Sequence, residues 1–171
     1  MKDRSILRGP DRIAPRRWGR AQRDPLTDPY RWSDKPKGSL VCSQCSAVYR
    51  DGRWSWAPRP DAAVELTCQA CHRLNDDYPA GVLTLSGPRL ADLKGEIVRL
   101  ARHQEEAERQ EHPLNRIMDI REQLGSLVIR TTDIHLPRRI GEAVQRAYKG
   151  GLKSQFDEAS YFVRVDWTSP G

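Results

Sequence analysis

The sequence is short of what builds a large core. Only 37% of its 171 residues are hydrophobic, with two Phe and two Met, and the mean hydropathy is -0.75. A chain this polar is expected to leave part of itself outside a compact fold. No apolar run approaches the roughly 18–20 residues that span a bilayer, which excludes a membrane helix. The opening stretch, MKDRSILRGPDRIAPRRWGR, has charges where a signal peptide needs an apolar centre. These absences predict a soluble, cytoplasmic protein. Catalytic signatures are missing too: there is no GxSxG, no GxxxxGK[ST], no GxGxxG and no HExxH. His103, His112 and His135 have no partner at a ligand spacing, and Asp76-Asp77 reads as loop capping. The expectation is a protein without enzymatic activity or a small-molecule substrate.

Cysteine is scarce but ordered. The four cysteines form two CxxC pairs, Cys42/Cys45 and Cys68/Cys71. Each two-residue spacer folds into a tight turn that brings two thiolates onto one ion, and two such knuckles supply a tetrahedral shell. Twenty-two residues separate the pairs, slightly more than the common spacing of about 15–20. That length suits a hairpin between knuckles: Ala47-Val48-Tyr49 reads as a strand, Asp51-Gly52 as its turn and Arg53-Trp54-Ser55-Trp56 as the return. So few aliphatics in residues 39–78 cannot build a core, so metal is expected to supply much of the folding free energy. The reading is a zinc ribbon holding one structural Zn2+, with an iron–sulfur cluster as the lesser alternative. His72 beside Cys71 is expected to be a bystander, because four thiolates close the shell and leave no position for water or substrate.

Charge is unevenly spread. Residues 1–38 carry 11 Lys or Arg against 5 Asp, whereas the other 133 residues are balanced, with 18 of each sign. The whole net charge of +6 therefore sits in the first segment. Five prolines interrupt it and no periodicity appears, so it reads as a disordered basic arm. Its Arg12, Arg16, Arg17, Arg20 and Arg31 are candidate phosphate contacts, and Trp18 and Trp32 candidate stacking platforms for RNA bases. The DPYRW stretch has a second reading, as a hydrophobic clip on the next module.

Residues 79–171 read as an α+β domain in the order β-α-α-β-α-β-β. Strands are expected near 82–85, 127–130, 152–156 and 161–167. The first helix starts at Pro88 and runs through the charged stretch ARHQEEAERQEH, read as a solvent face. The second, 115–124, rests on Ile117, Ile120 and Leu124 in helical phase. Asp133 can cap the third, with Pro137 in its first turn. At about 100° per residue, Leu136, Ile140, Ala143, Val144 and Ala147 share one arc of that third helix. Arg138, Arg139, Arg146 and Lys149 fall nearly opposite and are candidate RNA-backbone contacts, with His135, Lys153 and Arg130 as possible extensions.

The stretches LVCSQCSAVYRDGRW, LTCQACHRLNDDYPAG and TTDIHLPRRIGEAVQRAYKGGL, with the final FVRVDW, resemble an uncharacterised bacterial zinc-ribbon family. That family is distantly similar to the large-ribosomal-subunit export adaptor of archaea and eukaryotes, the nonsense-mediated-decay type. The resemblance covers about 40–171 in outline. It implies association with the ribosome or another structured RNA and brings no catalytic residue. The rival expectation is a protein–protein adaptor that uses Trp54, Trp56 and the charged first helix without binding RNA.

Overall fold

The computed structural model describes residues 28–171. The fold is α+β, with two sheets and three helices among the described residues. The first sheet has the order β3-β2-β1-β4, built from β1 (Leu40–Cys42), β2 (Val48–Arg50), β3 (Arg53–Ser55) and β4 (Val64–Leu66). Strand β4 lies parallel to β1, and the other pairings are antiparallel. The expected Asp51-Gly52 turn joins β2 to β3 with both residues at positive φ, 52° and 81°, as a tight hairpin requires. After β4 the chain enters a short helix, α1 (Gln69–Asn75), which the sequence reading did not include.

The second sheet has the order β6-β7-β5-β9-β8. Its strands are β5 (Gly81–Ser86), β6 (Ile117–Gln123), β7 (Ser126–Thr131), β8 (Gly151–Asp157) and β9 (Phe162–Thr168). Helices α2 (Leu90–Glu111) and α3 (Leu136–Tyr148) pack on one face. Leu83, Leu85, Ile129, Val163, Val165 and Trp167 point from the sheet into a core closed by Leu93, Ile97, Leu136, Ile140 and Val144. Alternate residues Val82, Thr84, Arg130 and Arg164 form the opposite face, which stays at least partly exposed. The alternation read in β9 holds, with Val163, Val165 and Trp167 buried. Gly141 lets α3 pack close on the sheet: a Cβ there would lie 3.0 Å from Leu152 and 3.1 Å from Val165. Asp133 Oδ2 accepts the backbone N–H groups of His135 (2.7 Å) and Leu136 (3.0 Å), so it supplies the expected cap to α3 from two residues before the N-cap position, His135.

The segment expected to be the second helix is instead strand β6, so the order is β-α-β-β-α-β-β. The cause is a register shift between Ile117 and Asp119. Ile117 faces Thr131 and Ile120 faces Ile129, so residues three apart reach the same side of the sheet. A bulge thus imitates helical spacing. Leu124, the third residue of the supposed stripe, is 99% exposed in a turn where it and Gly125 have φ of 50° and 78°. The charged stretch of α2 also departs from a plain solvent face. Glu105 is buried and accepts the N–H of Ile117 at 2.8 Å, and Glu108, also buried, accepts from Asn115 Nδ2 at 3.1 Å. Ala147, placed on the apolar arc of α3, is exposed.

Arg130 ties the layers together. Its guanidinium binds Asp119 on β6 and, at 2.7 Å, Asp77 just beyond α1. It holds the Asp119 carboxyl below its ordinary range. A depressed carboxyl adds stability above its unfolded pKa, about 3.9, and loses it as pH falls through the lower folded value. Urea unfolding should therefore show stability falling below about pH 4, and Asp119→Asn should flatten that fall while costing about 1–2 kcal/mol at pH 7.

Candidate metal centre

Each cysteine is delivered by backbone that the sequence prescribes locally. Cys42 ends β1, and the chain reverses at once: Ser46 N–H donates to the Cys42 carbonyl at 2.9 Å and Cys42 N–H to the Ala47 carbonyl at 2.8 Å. Ser46 has φ 65°, which closes the first knuckle. The second pair sits at the start of α1, where Cys68 is the N-cap residue and its Sγ accepts the Cys71 N–H at 3.4 Å. The Cys68 N–H in turn donates to Cys42 Sγ at 3.3 Å. Parallel pairing of β1 with β4 sets the two knuckles side by side.

The four sulfurs all lie within 4.8 Å of one another. Cys42 to Cys71 and Cys45 to Cys68 are each 3.8 Å. A tetrahedral ion with metal–sulfur bonds near 2.3 Å sets its thiolates about 3.8 Å apart, so the cluster fits one ion. These separations exceed the disulfide bond length of about 2.05 Å, and all four cysteines are free. Cys42, Cys68 and Cys71 are buried, packed with Ala47 and Ala70. Without a cation, such crowding splits the sulfurs: hydrogen bonding with Cys45 holds Cys42 low, while hydrogen bonding with Cys42 pushes Cys68 and Cys71 up. A divalent cation removes that conflict by stabilising all four as thiolates. Four cysteines can therefore hold one metal ion here. His72 is not one of the clustered ligands, and its Nε2 is buried without a partner among the described residues.

One residue at the centre escaped sequence reasoning. Arg116, from the loop before β6, is 6% exposed. It donates from Nη2 to Cys45 Sγ at 3.0 Å and from Nη1 to Cys71 Sγ at 3.4 Å. Burial opposes its charge most strongly, but the hydrogen bonds and charges of Cys45, Cys68 and Cys71 together outweigh that and raise its pKa. Its sulfur partners lie 71 and 45 residues away, so no local spacing marks it.

The candidate RNA contacts separate into groups. Arg12, Arg16, Arg17, Trp18 and Arg20 lie outside the described residues. Trp32 is half-buried and packs edge-on against Tyr49 with centroids 5.1 Å apart, and also against Trp54. Tyr30 is 2% exposed beneath the Arg73 guanidinium, which binds Asp28 at 2.6 Å. The clip reading thus describes residues 28–32, while Arg31 remains exposed. On α3, Arg138, Arg139, Arg146 and Lys149 are exposed, although Arg139 is paired with Glu108. Arg130 and Lys153 stand on the sheet face away from the helices, so they do not extend this row.

No family model matches the chain, and neither the curated proteins nor the solved structures give a match. Fold and site together define an α+β protein whose four clustered cysteines can hold one metal ion. No helix among the described residues is long and apolar enough to cross a membrane.

Proposed function

We propose that the protein is a non-enzymatic zinc protein that binds ribosomal or other structured RNA in the cytoplasm, as a ribosome-associated assembly or stress (hibernation-type) factor. The observation that carries this reading is the exposed row Arg138, Arg146 and Lys149 on α3. None of the three has a carboxylate partner among the described residues, so their charge is available to phosphates. Support comes from residues 1–27, which hold eight basic and three acidic side chains, and from the resemblance to the bacterial zinc-ribbon family. Zinc is favoured because four thiolates in a tetrahedral shell suit it, and sulfurs within 4.8 Å leave room for one ion rather than a multi-iron cluster. The shell is closed, so the metal is scaffolding. The adaptor alternative loses part of its surface, since Trp54 joins the Trp32–Tyr49 cluster and Trp56 Nε1 donates to the Arg109 carbonyl at 2.6 Å.

The test is RNA affinity against salt. Each phosphate contact adds about 0.7–0.9 to the slope of log affinity on log salt. Removing residues 1–27, which leaves the packed Tyr30 and Trp32 in place, should take away at least half of that slope. Arg138→Glu with Arg146→Glu should remove about one to two further units. An unchanged slope in both variants, or no sedimentation with ribosomes or RNA at low salt, would favour the adaptor.

A further inference from the structure

We propose that Arg116 belongs to the metal centre as the charge partner of its four thiolates, and that through it metal loading is coupled to docking of the second sheet on the metal module. The inference rests on the metal part of the reading above and is independent of RNA.

Arg116 is fixed from its own side of the molecule. Its backbone N–H donates to Thr132 Oγ1 at 3.0 Å and its Nε to the Pro113 carbonyl at 2.7 Å. That leaves Nη1 and Nη2, and both are aimed at sulfur: Cys71 at 3.4 Å, Cys45 at 3.0 Å and, more distantly, Cys68 at 3.9 Å. No carboxylate pairs with this guanidinium among the described residues, although it is 6% exposed. A buried cation without a compensating anion is strongly disfavoured. The sulfurs are the only acceptors its terminal nitrogens reach among the described residues, so metal-held thiolates would supply the compensating negative charge.

Four thiolates around a divalent ion carry a net charge of minus two, and one guanidinium halves it. Outer partners that orient ligands in this way typically change metal affinity by about 10–100-fold. The contact is also a join. Arg116 immediately precedes β6, while its sulfur partners lie on the knuckle after β1 and on α1. Leu114, from the same loop, packs on the cysteine cluster. Removing the ion removes what gathers the sulfurs at one point, and Arg116 then has no focused acceptor.

The experiment compares the full chain with Arg116→Gln, Arg116→Lys and Ile117→Ala. Zinc affinity is read by chelator competition, and hydrogen exchange over residues 113–120 is read with and without zinc. Arg116→Gln should bind zinc 10–100-fold more weakly, and Arg116→Lys, which keeps the charge but loses the fork, by a smaller factor. Ile117→Ala, which loosens β6 without touching sulfur, should stay within about threefold of the parent, well below the loss expected of an outer metal partner. Exchange over 113–120 should rise when zinc is stripped from the parent chain. Parental affinity in Arg116→Gln, an equal loss in Ile117→Ala, or unchanged exchange on stripping each overturns the proposal. If Arg116→Gln does not fold, parental affinity in Arg116→Lys does so. A parent chain that binds no zinc would instead sink the metal reading itself.

Discussion

A chain with Cys68→Ser should bind zinc at least about 1,000-fold more weakly, a loss of roughly 4 kcal/mol or more. Cys68 is fully buried, its sulfur lies 3.8 Å from Cys45 Sγ, and it accepts the Cys71 N–H at the start of α1. A serine oxygen is a shorter, harder donor and reaches neither partner well. The effect should spread beyond the site. Among the described residues, the cysteine cluster adds just Ala47 and Ala70 as buried hydrophobics, and the adjoining cluster holds Leu40, Tyr49 and Leu66. Clusters so small hold few buried side chains, at about 1.5–3 kcal/mol for each large one, against the chain entropy of some forty residues. A bound metal would therefore supply folding free energy to this part of the molecule. Chelator competition measures the affinity, and circular dichroism during heating should show an early transition absent from the parent. Parental affinity in Cys68→Ser would mean that the ion is held elsewhere.

The second large effect belongs to the other sheet. Trp167→Ala should destabilise the protein by about 3–5 kcal/mol. Trp167 is 0% exposed on β9, and its Nε1 donates to the Lys149 carbonyl at 2.7 Å. That bond fixes the reversal between α3 and β8, where Lys149 and Gly150 have φ of 62° and 90°. It therefore also anchors the end of the basic row on α3. Trp167→Phe keeps most of the volume and should cost less, about 1–2 kcal/mol, chiefly the lost hydrogen bond. Urea unfolding reads both values. A loss below 1 kcal/mol for the alanine chain would contradict the packing of β9 inside the core.

What the sequence made legible was what depends on short spacing. CxxC pairs place their ligands by local turns, so Cys42, Cys45, Cys68 and Cys71 could be assigned together. Asp51-Gly52, the Asp133 cap and the alternation of Val163, Val165 and Trp167 are local in the same sense. The misreadings came where distant partners decide. Strand β6 looked helical because its bulge sets Ile117 and Ile120 on one side, and only pairing with β7 reveals that. Glu105 and Glu108 looked like solvent-facing charge until Asn115 in the loop and Ile117 at the start of β6 closed over them. The basic row was legible on the helical wheel, but the pairing of Arg139 with Glu108 was not. Arg116 stood in a stretch with no motif, and its role exists only once both layers are folded.

The most direct measurement is the absorption spectrum of the cobalt-substituted protein during stoichiometric titration. The account predicts one cobalt per chain, intense tetrahedral bands with thiolate charge transfer from four sulfurs, and no change on adding an exchangeable anion. Fewer than four thiolates, or a band that shifts with the added anion, would show an open position and contradict the closed centre.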